Sequence, residues 1–186
     1  MRSKHIFLII AVVSIISIIL SCNNQRNNNK NSLTKKEVGE ILIDANKLQI
    51  ADDTQRVVSY IRLNDWKMQR TKTGIWYEII ESNNGPKIKN GDVVALSYRI
   101  HLLNGKECYS SDKTGPKVFK VSKGGVESGL EEGILLLKGG DSARFIIPQF
   151  QAHHLLGDGD EIPPLSTIIY TLRVIEVASK NESTKQ

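Results

Sequence analysis

The chain has 186 residues, 40% hydrophobic and 24% charged, the balance of a globular protein rather than a disordered one. Its formal charge of +5 includes Arg2 and Lys4, in a segment expected to be removed; 25 basic side chains less these two leave +3 against 20 acidic ones. That balance is too mild for a nucleic-acid partner, and no basic cluster is interleaved with aromatics.

The chain opens MRSKHIFLIIAVVSIISIILSC, residues 1–22. Arg2 and Lys4 give a positive start, and Ile6 to Leu20 is apolar apart from Ser14 and Ser17. The run suits a secretory leader better than a membrane span, which needs ~20 apolar residues. Its ending, Ile19-Leu20-Ser21-Cys22, resembles the lipobox of bacterial lipoproteins, with Leu20 bulkier than the usual residue there. The resemblance implies cleavage before Cys22 and lipidation of that cysteine; an uncleaved signal anchor is the alternative. The polar stretch NNQRNNNKN after Cys22 cannot bury apolar surface and reads as a tether. With Cys22 lipidated, Cys108 has no intrachain partner, so an exported domain is held by its core alone.

Residues 33–73 read as a helical extension. Thr34-Lys35-Lys36-Glu37 is a capping box, and Val38, Ile41, Leu42, Ala45 and Leu48 recur at helical spacing. Asp52-Asp53-Thr54 predicts a restart leading to Val57, Val58 and Ile61. A dimerisation or partner-binding arm fits this pattern. An extension packed on the main domain, or spacing it from a membrane, fits better.

From Gly74 the period changes to two. Ile75, Tyr77 and Ile79 share a face; so do Val94, Leu96, Tyr98, Ile100 and Leu102, followed by the hairpin signal Asn104-Gly105. Ala143, Phe145 and Ile147 form a third apolar face, and Ile168, Tyr170, Leu172 and Val174 a fourth. Strands with one apolar face predict an antiparallel sheet covered on one side. Ser128-Gly129-Leu130-Glu131 reads as a second capping box, starting a short helix with the stripe Val126, Leu130, Ile134 and Leu137 and ending at Gly139-Gly140. The class is α+β: a curved antiparallel sheet wrapped on one short helix, with an N-terminal helical extension. The expected boundaries are a leader at 1–21, a tether at 22–32, the extension at 33–73, the sheet domain at 74–178 and a disordered tail at 179–186.

The order of these pieces resembles the FKBP-type peptidyl-prolyl isomerases. The residues that carry the likeness are the strand tyrosine Tyr98, Cys108-Tyr109-Ser110-Ser111 at an FDSS-like segment, Gly129-Leu130-Glu131-Glu132-Gly133 at the helix start, and Ile162-Pro163-Pro164 before the last strand. With its leader and arm, the chain further resembles the FKBP-like lipoproteins associated with gliding motility in Bacteroidetes. The resemblance implies a fold of this kind, proline-containing polypeptide clients, no cofactor and no metal.

Peptide-bond rotation has a barrier of ~18–20 kcal/mol, and X-Pro isomerisation takes tens to hundreds of seconds uncatalysed. A catalyst needs no covalent chemistry, only a dry aromatic cup and a donor that favour the twisted amide. Carried across, the family's pocket falls on Tyr98, Phe119, Val126, Leu130, Ile162 and Tyr170. Cys108 and Tyr109 stand where the pattern has phenylalanine and aspartate. Glu127 stands for an isoleucine and is expected to offer mainly its backbone amide. His153 takes the place of the loop tyrosine, a donor that responds near neutral pH. Tyr98, His153 and Tyr170 are the expected catalytic residues, the others lining the pocket. A non-catalytic chaperone or scaffold on the same fold is the alternative.

Other chemistry is less well supported. His153, His154, Asp158, Asp160 and Glu161 match no established metal-ligand spacing, and all but His153 read as loop surface. Cys108 lacks a histidine base on its face, and Gly124-Gly125 beside Lys123 is not a phosphate loop.

Overall fold

A computed structural model of the chain describes residues 34–179. The expected leader, Cys22, the tether and all but the first residue of the expected tail lie outside the described residues. The chain divides into two compact units, Met1–Asp44 and Ala45–Gln186.

In the first unit, helix α1 (Lys35–Leu63) begins with the expected capping box. The Thr34 amide donates to Glu37 Oε2 at 2.7 Å, and the Glu37 amide donates to the Thr34 hydroxyl at 3.3 Å. Val38, Ile41 and Leu42 are exposed on this segment.

The second unit holds the rest of α1, and here the sequence reading needs two corrections. The helix does not restart at Asp52-Asp53-Thr54. Asp53 is buried and accepts the Thr167 hydroxyl at 2.6 Å, so it ties the helix to a loop instead of capping a new one. Nor does the helix run towards residue 73. It ends at Leu63, where the Asn64 amide and side chain both donate to the Tyr60 carbonyl and Asp65 adopts a positive φ of 50°. The next residues form strand β1 (Gln69–Arg70), paired with Tyr77 and Trp76.

The remaining elements are β2 (Trp76–Glu81), β3 (Val93–Leu102), β4 (Glu107–Ser110), α2 (Ser111–Thr114), β5 (Lys117–Lys120), α3 (Ser128–Ile134), β6 (Ser142–Ile147) and β7 (Ile168–Ala178). They build the expected α+β class around one antiparallel sheet in the order β1-β2-β6-β7-β3-β4. β5 pairs with the first half of β3, and β4 with the second half. Asn104-Gly105 makes the predicted hairpin, with Gly105 at φ 87° and the Leu102 amide donating to the Lys106 carbonyl at 2.9 Å.

The alternating faces of β3, β6 and β7 bury together against Leu130, Ile134 and Leu137. Each such side chain contributes roughly 1.5–3 kcal/mol relative to exposure. α3 stops at Ile134, before the predicted Gly139-Gly140, while Leu137 still reaches the core. The second expected capping box does not form. The Ser128 hydroxyl donates to the Gln151 carbonyl, and the Glu131 carboxylate accepts the amides of Ser122 and Gly124 in the preceding bend.

One-sided coverage also needs correction. Val57, Ile146 and Ile169 form a second buried cluster, joined by Tyr60, Trp66, Met68 and Trp76. The C-terminal half of α1 therefore covers the outer face of β2, β6 and β7, the face opposite α3.

Candidate functional site

β3 and β7 lie side by side, with Tyr98 opposite Leu172 and Ile100 opposite Tyr170. Alternation turns both tyrosines to the α3 side, and their ring centroids are 6.1 Å apart, tilted at 42°. Phe119 enters from β5, Leu130 from α3 and Ile162 from the loop before β7, all in one buried cluster. Val126 and Tyr109 pack against it partly buried. Cys108 joins from β4, its thiol donating to the Glu161 carbonyl at 3.5 Å. Burial pushes that thiol's pKa up, which keeps it protonated and apolar in character. The Tyr98 hydroxyl shares a hydrogen bond of 2.9 Å with Thr114 at the end of α2.

A polar network sits inside this apolar wall. Glu127 precedes α3 without capping it; its side chain, 6% exposed, turns inward. The Tyr170 hydroxyl donates to the Glu127 carboxylate, at 2.9 and 3.0 Å from its two oxygens, and accepts from Lys117 Nζ at 2.9 Å. His153 Nε2 lies 3.1 Å from Glu127 Oε1, a bond donated by the Nε2–H tautomer. Burial and the Glu127 carboxylate raise the Tyr170 phenol pKa well above its usual value, so it is a neutral donor at all working pH. The expectation that Glu127 contributes mainly its backbone amide is corrected: its carboxylate is the hub of the site. Sequence reasoning missed Lys117. The signal is there, because Lys117 stands two residues before Phe119 on β5 and alternation places both on one face.

The loop from Gln149 to Leu165 is held by Asp158, which the sequence reading left on the surface. Asp158 Oδ1 accepts the amides of Asp160 and Ile162, each at 2.9 Å, and Oδ2 accepts the Tyr109 hydroxyl. Glu161 pairs with Lys106 at 2.6 Å. His154 is exposed with φ 53°, and among the described residues no group of three or more His, Cys, Asp or Glu side chains could hold a metal ion.

Burial opposes the Asp158 charge, but the Tyr109 hydroxyl and the two amides outweigh it and hold the carboxyl below its ordinary value. A depressed carboxyl stabilises the fold above its unfolded pKa, and that contribution is lost as pH falls through the folded one. The Asp160 and Ile162 amide resonances are therefore expected to titrate below about pH 4, the ordinary carboxyl value. In Asp158→Asn that titration is expected to be absent, as followed by two-dimensional NMR.

Comparison with known proteins fits this geometry. The family model described as FKBP-type peptidyl-prolyl cis-trans isomerase matches residues 85–175. FK506-binding protein 2 of Dictyostelium discoideum is 35% identical over 92 residues, covering 49% of this chain and 69% of that protein. The chain belongs to the FKBP-type peptidyl-prolyl cis-trans isomerase family. The Neisseria meningitidis serogroup B protein named "Probable FKBP-type peptidyl-prolyl cis-trans isomerase FkpA" is 28% identical over 148 residues, 77% of this chain. The chain spans about half of that relative's length, 54%. The crystal structure of FkpA from Escherichia coli superposes with a TM-score of 0.60 at 25% identity, covering 79% of this chain and 74% of that one.

Within the FKBP pattern, Tyr98, Cys108, Phe119, Leu130, Ile162 and Tyr170 belong to the buried core cluster, Tyr109 and Val126 pack against it, and Glu127 and His153 form the polar network with Lys117. Tyr98, Phe119, Leu130, Ile162 and Tyr170 keep the apolar wall. The positions that depart from the pattern are the polar ones: Tyr109 is bonded to the loop carboxylate of Asp158, and Glu127 and His153 are bonded to each other.

Proposed function

We propose that this FKBP-family protein is a peptidyl-prolyl cis-trans isomerase acting on X-Pro bonds of exported or envelope polypeptides. The observation that carries the reading is the pair of tyrosines on β3 and β7 set over Leu130, with Phe119 and Ile162 completing the wall. A planar amide owes its double-bond character to charge separation, which water stabilises. Moving the X-Pro bond against rings and aliphatic side chains removes that water, so the twisted, less polar amide is disfavoured less than in solution. Each ~1.4 kcal/mol taken from the barrier gives tenfold in rate. No nucleophile and no proton transfer are required. Lys117, at the partly exposed side of the network, is the nitrogen donor with N–H groups left for a bound client, since the His153 Nε2–H is given to Glu127.

The pattern of residues 1–32 supports a membrane-tethered form, with residues 1–21 as leader, Cys22 lipidated and 22–32 as tether. The proposed location is the periplasmic side of a bacterial outer membrane, with residues 74–178 as the isomerase domain. The exposed Val38, Ile41 and Leu42 support a pairing role for the helical extension. A part in a gliding-type envelope assembly is the finest form of this reading.

The test is prolyl turnover, measured by NMR exchange on the purified protein with short proline peptides. Exchange accelerated above background supports the isomerase. A second reading, a non-catalytic chaperone or scaffold, is favoured by one observation: Leu130 and Tyr170 are fully buried beneath the Lys117–Glu127–His153 network. Client binding with no accelerated exchange would establish that reading instead.

A further inference from the structure

We propose that Lys117 is a specificity determinant, favouring clients with a carboxylate side chain next to the proline over those with a cationic one. The inference rests on the isomerase reading of this site. Lys117 Nζ stands 5.3 Å from the ring centroid of Tyr98 and 5.5 Å from that of Tyr170, so a client docking at the exposed edge of the ring pair meets it. The electron-rich ring faces hold the ammonium in place, unlike a surface lysine free to swing into water.

The network is asymmetric, and the asymmetry sets the sign. The Glu127 carboxylate receives Tyr170 and His153 and is 6% exposed, so its hydrogen-bonding capacity is largely filled and its charge is covered. Lys117 has three N–H donors. Among the described residues, its one partner at hydrogen-bond distance is the Tyr170 hydroxyl; Glu127 Oε2 is 3.8 Å away. Its side chain is 24% exposed. The charge that a client can reach inside the cup is therefore positive and under-bonded. A docking client strips water from those donors, and a buried donor without a partner is costly. A client carboxylate restores the bond with charge assistance, an amide does so weakly, and an ammonium brings a like charge.

The loop carboxylates present the competing field. Glu161 is neutralised by Lys106 at 2.6 Å, and Asp158 is enclosed by Tyr109 and two amides. Asp160 accepts from Tyr109 at 3.2 Å and is exposed to solvent, which screens it. The inward-facing ammonium is therefore expected to dominate.

The test uses the full chain and two peptide series, with Glu, Gln or Lys placed before the proline in one and after it in the other. NMR exchange gives kcat/KM for each peptide, and titration gives its Kd. In at least one series the Glu-to-Lys ratio of kcat/KM is expected to reach about tenfold at low salt and to fall as salt is added. Lys117→Met is expected to bring the ratio to about one, Lys117→Arg to preserve it, and Glu127→Gln to raise it by removing the competing carboxylate. Because the readout is a ratio, a general loss of activity in a variant does not imitate the result. Equal rates for acidic and basic peptides, a preference for basic ones, or a ratio unchanged in Lys117→Met overturns the proposal. If no peptide is turned over, the isomerase reading fails on its own. The Kd ratios then decide the role of Lys117 by the same criteria.

Discussion

Replacing Tyr170 by alanine is expected to destabilise the domain by about 3–5 kcal/mol and to remove measurable prolyl turnover. The side chain is fully buried between β3 and β6, so truncation leaves a cavity that the sheet cannot close without moving strands. The same change strips the Glu127 carboxylate of a hydroxyl donor at 2.9 Å and Lys117 of its acceptor. Tyr170→Phe separates the two effects. It keeps the wall and removes only the hydroxyl, at a cost of ~1–3 kcal/mol for the polar groups left behind. Tyr98→Ala works at the more open side of the cup. It is expected to cost less stability than Tyr170→Ala and still to remove most turnover, because it takes away half of the ring pair. Urea unfolding and NMR exchange measure the two quantities independently. Leu48→Ala, on an exposed position of α1, is expected to leave both near their starting values. Equal loss of turnover from the α1 change would mean that the reaction takes place elsewhere.

These expectations draw on parts of the molecule that differed in legibility. The faces of β3 and β7 were plain in the sequence because Val94 to Leu102 and Ile168 to Val174 alternate without interruption, and one buried face per strand is all that pattern requires. The second covered face was legible only in part. Phe145-Ile146-Ile147 and Ile168-Ile169 are unbroken apolar runs, which mark burial on both sides. Reading every second residue hid Ile146 and Ile169. The end of α1 was hidden for a different reason: Trp66 and Met68, just past it, are held by tertiary contacts with the outer face of the sheet, which no local pattern announces. In the site, motif position located the walls and not the directions of the charged side chains. By position Glu127 offers mainly its backbone amide and Ser128-Glu131 reads as a cap. Glu127 instead serves the Tyr170 hydroxyl, and Glu131 serves two amides upstream. Asp158 was misplaced for the same reason, since its partner Tyr109 is 49 residues away in sequence.

Gly129→Ala and Gly133→Ala are each expected to destabilise the protein, although alanine is the better helix former by about 1 kcal/mol. The two glycines are one helical turn apart on α3 and face β6. A Cβ at Gly129 would lie 2.3 Å from Ile147 Cγ2 and 3.2 Å from the Gln151 carbonyl oxygen. One at Gly133 would lie 2.8 to 3.2 Å from three atoms of the Phe145 ring. Ile147 and Phe145 are both fully buried, so neither has free space to move into, and overpacking of this kind costs ~1–3 kcal/mol or more. α3 can relieve either clash only by lifting from the sheet. That movement relieves both clashes at once, so the double variant is expected to cost less than the sum of the singles. The lift also carries Leu130 and the neighbouring Glu127 away from Tyr170. Turnover is therefore expected to fall further than the loss of folded protein explains, when rates are measured at temperatures where each variant remains folded. Two glycine variants that raised the unfolding midpoint would show that α3 does not need this close approach, and the position of Leu130 against the tyrosines would then require another cause.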